Sequence, residues 1–401
     1  IKGKREASGT GHLADKPVSA ALDIHWNDLL LPADLAGQTL ASHGDLKASG
    51  NADRYHAEGD IGIGPPGKLA QIAFNLDATA QQVVLHQLPP KQAQGHLQAH
   101  GTLTLQPTLT WQAEASANKF DPGQLFADWN GALDFEIASH GGLSKNGPDA
   151  TLEIRTLGGK LRGRAISGNG KLHLAPGNLL DGRLELASGG STVKLTAAPG
   201  ASNDAELQLA IASLGDWIPD SGGRLDGHFR IRGLLPKFGI DGQLRGQSLR
   251  WHEQKADSLQ LVVGIPDIGH PAGKLDLQTG NVYLQGLLFQ HINLLAEGSQ
   301  GDHRLRVSAR GSQVSGALEL RGALQGPGWN GTLSTLNIEP RGMPGWHLRQ
   351  PAQLGYRGGA MSLSELCLTA GDPLLCVNAK QDKSGNLDAS YRLHALPLAL
   401  L

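Results

Sequence analysis

Two cysteines, sixteen histidines and 37 acidic residues are the groups of this 401-residue chain whose spacing could support chemistry. The cysteines stand in Cys367-Leu-Thr-Ala-Gly371-Asp372-Pro-Leu-Leu-Cys376. If Gly371-Asp372 form a two-residue turn, Cys367 and Cys376 oppose one another across a hairpin, at a separation a disulfide can bridge. They are the only cysteines, which favours pairing and an oxidising compartment such as the bacterial periplasm. Two free buried thiols, or a slipped register, remain the alternatives.

The histidines invite a metal reading. His96 and His100 are four apart and would share one face of a helix, but their surroundings read as strand, where four residues span about 13 Å, too far for one ion. No His-Glu-x-x-His and no Cys/His cluster of zinc spacing occurs. Most histidines, such as His173 and His228, occupy polar positions of strands. Gly62-Ile-Gly64-Pro65-Pro66-Gly67 matches the dinucleotide fingerprint in letters only: its two prolines remove amide donors, and Leu69-Ala-Gln-Ile-Ala-Phe-Asn-Leu after it reads as strand, not helix. Gly177-Asn-Leu-Leu-Asp-Gly182-Arg183 lacks the Lys and Ser/Thr of a phosphate loop and reads as a hairpin turn. There is no Gly-x-Ser-x-Gly. Carboxylates such as Glu185, Asp276 and Glu319 fall on polar strand positions, where pairs could approach across strands as in glycosidases. The expectation is a protein that is not an enzyme and needs no cofactor or metal.

The elements that carry these residues repeat one phrase: glycine, spacer, apolar, polar, apolar. It reads Gly101-Thr-Leu103-Thr-Leu105, Gly131-Ala-Leu133-Asp-Phe135-Glu-Ile137, Gly182-Arg-Leu184-Glu-Leu186, Gly227-His-Phe229-Arg-Ile231, Gly273-Lys-Leu275-Asp-Leu277 and Gly316-Ala-Leu318-Glu-Leu320. Such alternation puts the apolar side chains on one face of a sheet, and glycine-rich clusters such as Pro199-Gly200-Ala-Ser-Asn203 turn the chain between strands. The spacing predicts about 30 strands in an antiparallel meander, which at about 4.8 Å each would extend roughly 140 Å if flat. Sheets twist, so the fold class expected is all-β: a long curved antiparallel sheet folded into an apolar-lined groove. Two segments break the rhythm, Asp121–Trp129 (with Leu125, Phe126 and Trp129) and Ser213–Pro219 (with Leu214, Trp217 and Ile218), and predict one or two helical turns each. A soft boundary near Pro219–Gly223 divides the chain into 1–219 and 220–401, both parts of the same groove.

Composition excludes several classes. Net charge is −2, with basic and acidic residues evenly spread, so no basic stripe points to nucleic acid. No apolar run is long enough to span a bilayer. The chain starts at Ile1 and stops within Leu396-Pro-Leu398-Ala-Leu400-Leu401, which reads as a piece of a longer protein. With 55 glycines and only 4% aromatics, it can line a face more easily than fill a thick core.

A one-sided apolar surface has three uses: packing into a sandwich, receiving acyl chains in an open trough, or receiving an unfolded protein strand. Length and the scarcity of large side chains favour the trough. An acyl chain gains about 0.8 kcal/mol per CH₂ buried, so a continuous trough lowers the barrier for a phospholipid crossing water. The expected lining residues are Leu184, Leu186, Val193, Leu195, Leu207, Leu209, Phe229, Ile231, Leu275, Leu277, Val282, Leu284, Leu305, Val307, Leu318, Leu320 and Leu333.

The run Asp216-Trp217-Ile218-Pro219…Gly223-Arg-Leu225-Asp-Gly227-His-Phe229-Arg-Ile231-Arg-Gly233…Gly246-Gln-Ser-Leu249-Arg250-Trp251 resembles the middle of TamB, an AsmA-like family of Gram-negative bacteria. So do Trp329-Asn-Gly331-Thr-Leu333, Trp346-His-Leu348-Arg-Gln-Pro351, Leu366-Cys367-Leu368…Leu375-Cys376 and the closing Leu396-Pro-Leu-Ala-Leu400. The resemblance covers about the last 190 residues; the N-terminal half shares only its repeat and composition. It implies a periplasmic β-rich bridge, an inner-membrane anchor in the whole protein, and a TamA-type outer-membrane barrel as partner through regions outside this segment. It also implies phospholipid transport, or alternatively a scaffold for outer-membrane protein assembly. No catalytic residue carries over; Cys367 and Cys376 alone map individually.

Overall fold

A computed structural model describes residues 6–15, 18–31, 40–51, 53–64, 69–87, 90–91, 95–126, 128–145, 147–234, 237–268, 270 and 272–395. The chain divides into two units, 1–205 and 206–401. The closing run 396–401, and the Pro65-Pro66-Gly67 end of the fingerprint-like loop, lie outside the described residues.

The protein is all-β, with 28 strands among the described residues. The first unit carries β1 (Glu6–Asp15), β2 (Val18–Leu31), β3 (Leu40–Asn51), β4 (Arg54–Gly64), β5 (Ala70–Thr79), β6 (Gln82–Gln87), β7 (Pro90–Lys91), β8 (His96–Thr104), β9 (Thr110–Phe120), β10 (Gly131–Ser144), β11 (Gly147–Leu161), β12 (Arg164–Ala175), β13 (Leu179–Ser188) and β14 (Ser191–Ala197). Strand β15 (Asn203–Ile211) runs across the division. The second unit carries β16 (Ser221–Leu234), β17 (Lys237–Trp251), β18 (Gln254–Ile265), β19 (Ala272–Leu284), β20 (Leu287–Ser299), β21 (Asp302–Gly311), β22 (Val314–Gln325), β23 (Gly328–Pro340), β24 (Trp346–Leu348), β25 (Ala352–Arg357), β26 (Ala360–Thr369), β27 (Leu374–Gln381) and β28 (Leu387–His394). The strand pairings within each unit are antiparallel and join neighbours in sequence, apart from two interrupted strands. β6 and β7 share the slot between β5 and β8, and β24 and β25 share the slot between β23 and β26. Pro351, which has no amide to donate, lies at the second break.

Tight hairpins set the register. Ser188 opposes Ser191 around Gly189-Gly190, and Leu284 opposes Leu287 around Gln285-Gly286, whose φ angles of 49° and 82° suit a primed turn. The two expected helical inserts are single 3₁₀ turns, Pro122–Gln124 and Leu214–Asp216. In the first, the Asp121 carboxylate accepts from the amides of Gly123 (2.9 Å) and Gly131 (2.8 Å), which ties the turn to the start of β10.

Strict alternation fails along one line of the second unit, and the failure is coordinated. β16 shifts register between Gly222 and Arg224, Ser248 of β17 and Asn281 of β19 take φ of 49° and 46°, and β20 shifts between Phe289 and His291. Beyond this seam the phase reverses. Leu249 therefore leans over Gly246, where a Cβ would stand 2.6 Å from a Leu249 methyl, and Leu249, Ala256, Val282 and Phe289 oppose one another in turn on the apolar face.

Among the described residues few apolar side chains are buried; the large ones are Phe120, Leu161, Ile211, Leu333 and Leu368. The chain exposes 23767 Å², whereas two compact units of half its mass would together expose about 18,000 Å² by the usual scaling. Along the described strands the apolar phase is mostly half-exposed.

Candidate functional site: the apolar face

In the first unit, register alone assembles a continuous apolar face. Ile24 opposes Leu46, Ile61 opposes Ile72, Leu76 opposes Leu85, Ile137 opposes Ile154, and Leu184 opposes Leu195. Of the expected lining residues here, Leu184 faces Gly170 and Leu195, and Leu186 faces Gly168 and Val193. The glycines matter: a Cβ at Gly168 would stand 2.6 Å from a Leu186 methyl, so the leucine lies down into the space that glycine leaves.

In the second unit, Leu209 reaches Gly227, 3.3 Å from where its Cβ would be, with Leu207 on the same strand phase. Phe229 faces Gly242 and Ile231 faces Ile240. Leu275 lies between Val263 and Ala296, and Leu277 between Leu261 and Leu294. Val282 lies between Ala256 and Phe289, and Leu284 faces Leu287. Leu305 lies between Ala296 and Leu320, and Val307 between Leu294 and Leu318. Leu318 meets Leu336, while Leu320 meets Leu333 across a register shift and Leu333 meets Ala352. Within each unit the expected residues thus share one face. Val282 and Leu284 do so because Asn281 resets the phase.

Three features of the face were missed from sequence. One is a hollow of about 340 Å³ in the first unit. Ala99, Gly101, Ala113 and Ala115 floor it, and Leu85, Leu103, Trp111 and Ile137 wall it. Its signal was the Gly101-Thr-Leu103 phrase itself. The second is a set of tryptophans laid over glycines. Trp26 covers Gly44 (2.6 Å to a built Cβ), Trp111 covers Gly141 (2.7 Å), and Trp329 covers Gly322. Each indole N–H donates to a same-face acceptor: Ser42 Oγ at 3.1 Å, Ser139 Oγ at 3.0 Å and His303 Nε2 at 2.7 Å. This satisfies the indole donor on an apolar surface. The third is His303, which opposes Gly298 and Gly322 and shares its phase with Leu305 and Val307.

The opposite face is polar and its charges are matched across strands. His173 stands between Asp149 and Asp181, each 3.0 Å away, and these carboxylates, Asp149 first, raise its pKa above the ordinary histidine value. Asp77 accepts from both His56 and His86 at 2.8 Å; His56 rises and Asp77 falls accordingly. Lys194 (2.9 Å) and Arg183 (2.6 Å) hold Glu185 below its usual range. Gln278 and Lys274 lower Asp276, and Arg304 pairs with Glu319 at 3.1 Å. The three carboxylates that could have approached as an acid pair are instead each paired with a base.

Cys367 and Cys376 are directly opposed on β26 and β27 and bonded, with Cα atoms 4.0 Å apart. Beside them the Glu365 carboxylate pairs with Arg392. Among the described residues, Glu365, Cys367 and Cys376 are the one group of three potential metal ligands brought close together, and its two sulfurs bond each other. No helix of the described residues is long and apolar enough to cross a membrane.

A family model described as "TamB, N-terminal domain" matches residues 4–401. The match runs through both units, well beyond the last 190 residues, and the matched domain is described as the N-terminal one rather than a middle segment. No solved structure matches the chain.

Proposed function

The chain belongs to the TamB family, and from that premise we propose that it is a non-enzymatic part of a periplasmic bridge that conducts phospholipids between the inner and outer membranes along its apolar face. The observation that carries this reading is the unbroken run of opposed apolar residues, Leu261–Leu277–Leu294–Val307–Leu318–Leu336 across six strands, left half-exposed. Acyl chains lying across such a run leave water without needing hydrogen-bond partners. The interior strands spend their amides and carbonyls on one another, so this face offers a polypeptide few backbone partners. The groove, the lining roles, the periplasmic setting and a TamA-type barrel partner through other regions all belong to this proposal.

The test places a photoreactive residue at Leu277 in the full-length protein, with Asp276 on the opposite face as control. Lipid captured at 277 and not at 276 supports conduction. Equal absence at both, in folded protein, removes it.

A second reading, a scaffold for outer-membrane protein assembly, draws on β28. Every residue of that strand is exposed, and among the described residues it pairs with β27 alone. Such an edge can accept a strand from a client protein. Cross-links from Tyr391 to a nascent barrel strand would favour it over lipid conduction.

A further inference from the structure

Among the histidines whose side chains are described, His303 stands apart because it projects from the apolar face of the second unit. Its Nδ1 lies 3.1 Å from the carbonyl oxygen of Ser299, which can only accept, so Nδ1 carries the hydrogen. Its Nε2 is therefore the bare acceptor, and it receives the Trp329 indole N–H at 2.7 Å. The two ring planes are within 27° of parallel, with centroids 6.2 Å apart, as an edge-to-edge hydrogen bond requires. The same indole covers a bare step in the sheet: Gly322 and Gly331 oppose one another on β22 and β23, and a Cβ at either would run into the Trp329 ring. Two hydrogen bonds in series, Ser299 to His303 to Trp329, thus hold an aromatic ring across the face beside Leu320.

We propose that His303 and Trp329 form an acid-released latch on the lipid path, and that releasing it opens the Gly322–Gly331 step to an acyl chain. The proposal rests on the lipid-conduction reading above. A proton taken from solvent at Nε2 turns the only acceptor facing Trp329 into a donor, and the two N–H groups then oppose each other. The indole turns away to find another acceptor and uncovers the glycines.

The surrounding charges do not replace the lost bond. Asp302 and Arg304, beside His303 on β21, are paired with Arg321 and Glu319 of β22. Glu297 of β20 is paired with Arg306. The titratable residue opposite Trp329 on β25 is Tyr356, and Trp329 itself is the β23 group that meets the imidazole. Asp302 is near enough for its charge and that of His303 to be felt by one another, but its carboxylate is hydrogen-bonded to Arg321, and no carboxylate among the described residues is hydrogen-bonded to His303, so no ion pair takes the place of the lost indole bond.

The test uses the full-length protein labelled with fluorotryptophan, the residue 329 signal being assigned by its loss in Trp329→Phe. Between about pH 8 and about pH 5, that resonance should move through one titration in the wild type. It should stay fixed in His303→Gln, whose side-chain oxygen accepts from the indole but does not titrate. A residue 329 signal that never titrates, or that titrates equally in His303→Gln, overturns the latch. Photo-capture of lipid from Leu320 should then rise on acidification in the wild type and stay level in His303→Gln. A fluorine titration with level capture at 320, while capture at 277 persists, also overturns it and leaves lipid conduction standing. Loss of capture at both sites at every pH removes conduction instead.

Discussion

Leu277 lies directly opposite Leu294, and Leu294 in turn faces Val307. A carboxylate at 277 would sit in the middle of this run with no basic residue opposite it on the face. Leu277→Asp should cost roughly 1 kcal/mol in stability, because the site is half-exposed, yet abolish lipid capture from residues on either side of it. Urea unfolding and cross-linking yield on the same preparation check both halves. Capture undiminished at Leu261 and Leu318 would show that the face is not used continuously.

The Cys367–Cys376 bond closes a loop of sequence separation 9 near the end of the second unit. A loop this short is expected to stabilise by about 2–3 kcal/mol through the unfolded state. Reduction, or paired serine substitution, should lower the unfolding midpoint of the second unit. Amide exchange should quicken most in β26–β28, leaving β16–β20 protected. Uniform loss of protection throughout the unit would refute a local staple.

Hydrogen bonds to Asp149 and Asp181 raise the pKa of His173 above the ordinary histidine value. A histidine whose folded pKa exceeds its unfolded value contributes stability that is complete below the unfolded pKa and lost as pH rises through the folded one. The imidazole should therefore titrate above the ordinary histidine range by NMR. Asp149→Asn should bring its midpoint down and flatten the alkaline fall in stability of the first unit. A midpoint unmoved by that substitution would place the cause elsewhere.

Gly182 has φ of 116°, and a Cβ there would collide with the backbone carbonyl of Lys171 on β12. Gly182→Ala should destabilise the first unit by about 1–3 kcal/mol. Gly177→Ala in the adjoining turn meets no atom within 4 Å and pays only for its φ of 84°. Denaturation midpoints of the two variants should fall in that order; the reverse order would contradict the close backbone approach.

Much of this fold was legible because period-two alternation is a local signal. Leu184 with Leu186, and Leu275 with Leu277, could each be assigned to one face of their own strand without knowing any register. What escaped depended on pairing. The Trp329 ring finds its place because Gly322 and Gly331 are partners across two strands, a fact no single strand contains. The seam through Ser248 and Asn281 reverses phase through left-handed residues that are not glycine, so the sequence there reads as if alternation simply continued. His303 was legible in principle, since it shares parity with Leu305 and Val307. The general habit of histidines on polar strand positions concealed it.

Within each unit the ladder joins nearly every strand only to the strands before and after it in sequence. Such an arrangement behaves as a one-dimensional array: stability is a sum over adjacent pairs, and a lesion weakens its neighbours first. It is also serial. On the proposed conduction reading, a ligand passing along the face meets the rungs one after another, so a single blocked position should impair passage. On the same reading, tolerance to substitution should differ sharply between the two faces of one strand: generous on the ion-paired side, where one lost bridge matters little, and narrow on the apolar side, where each residue continues the run.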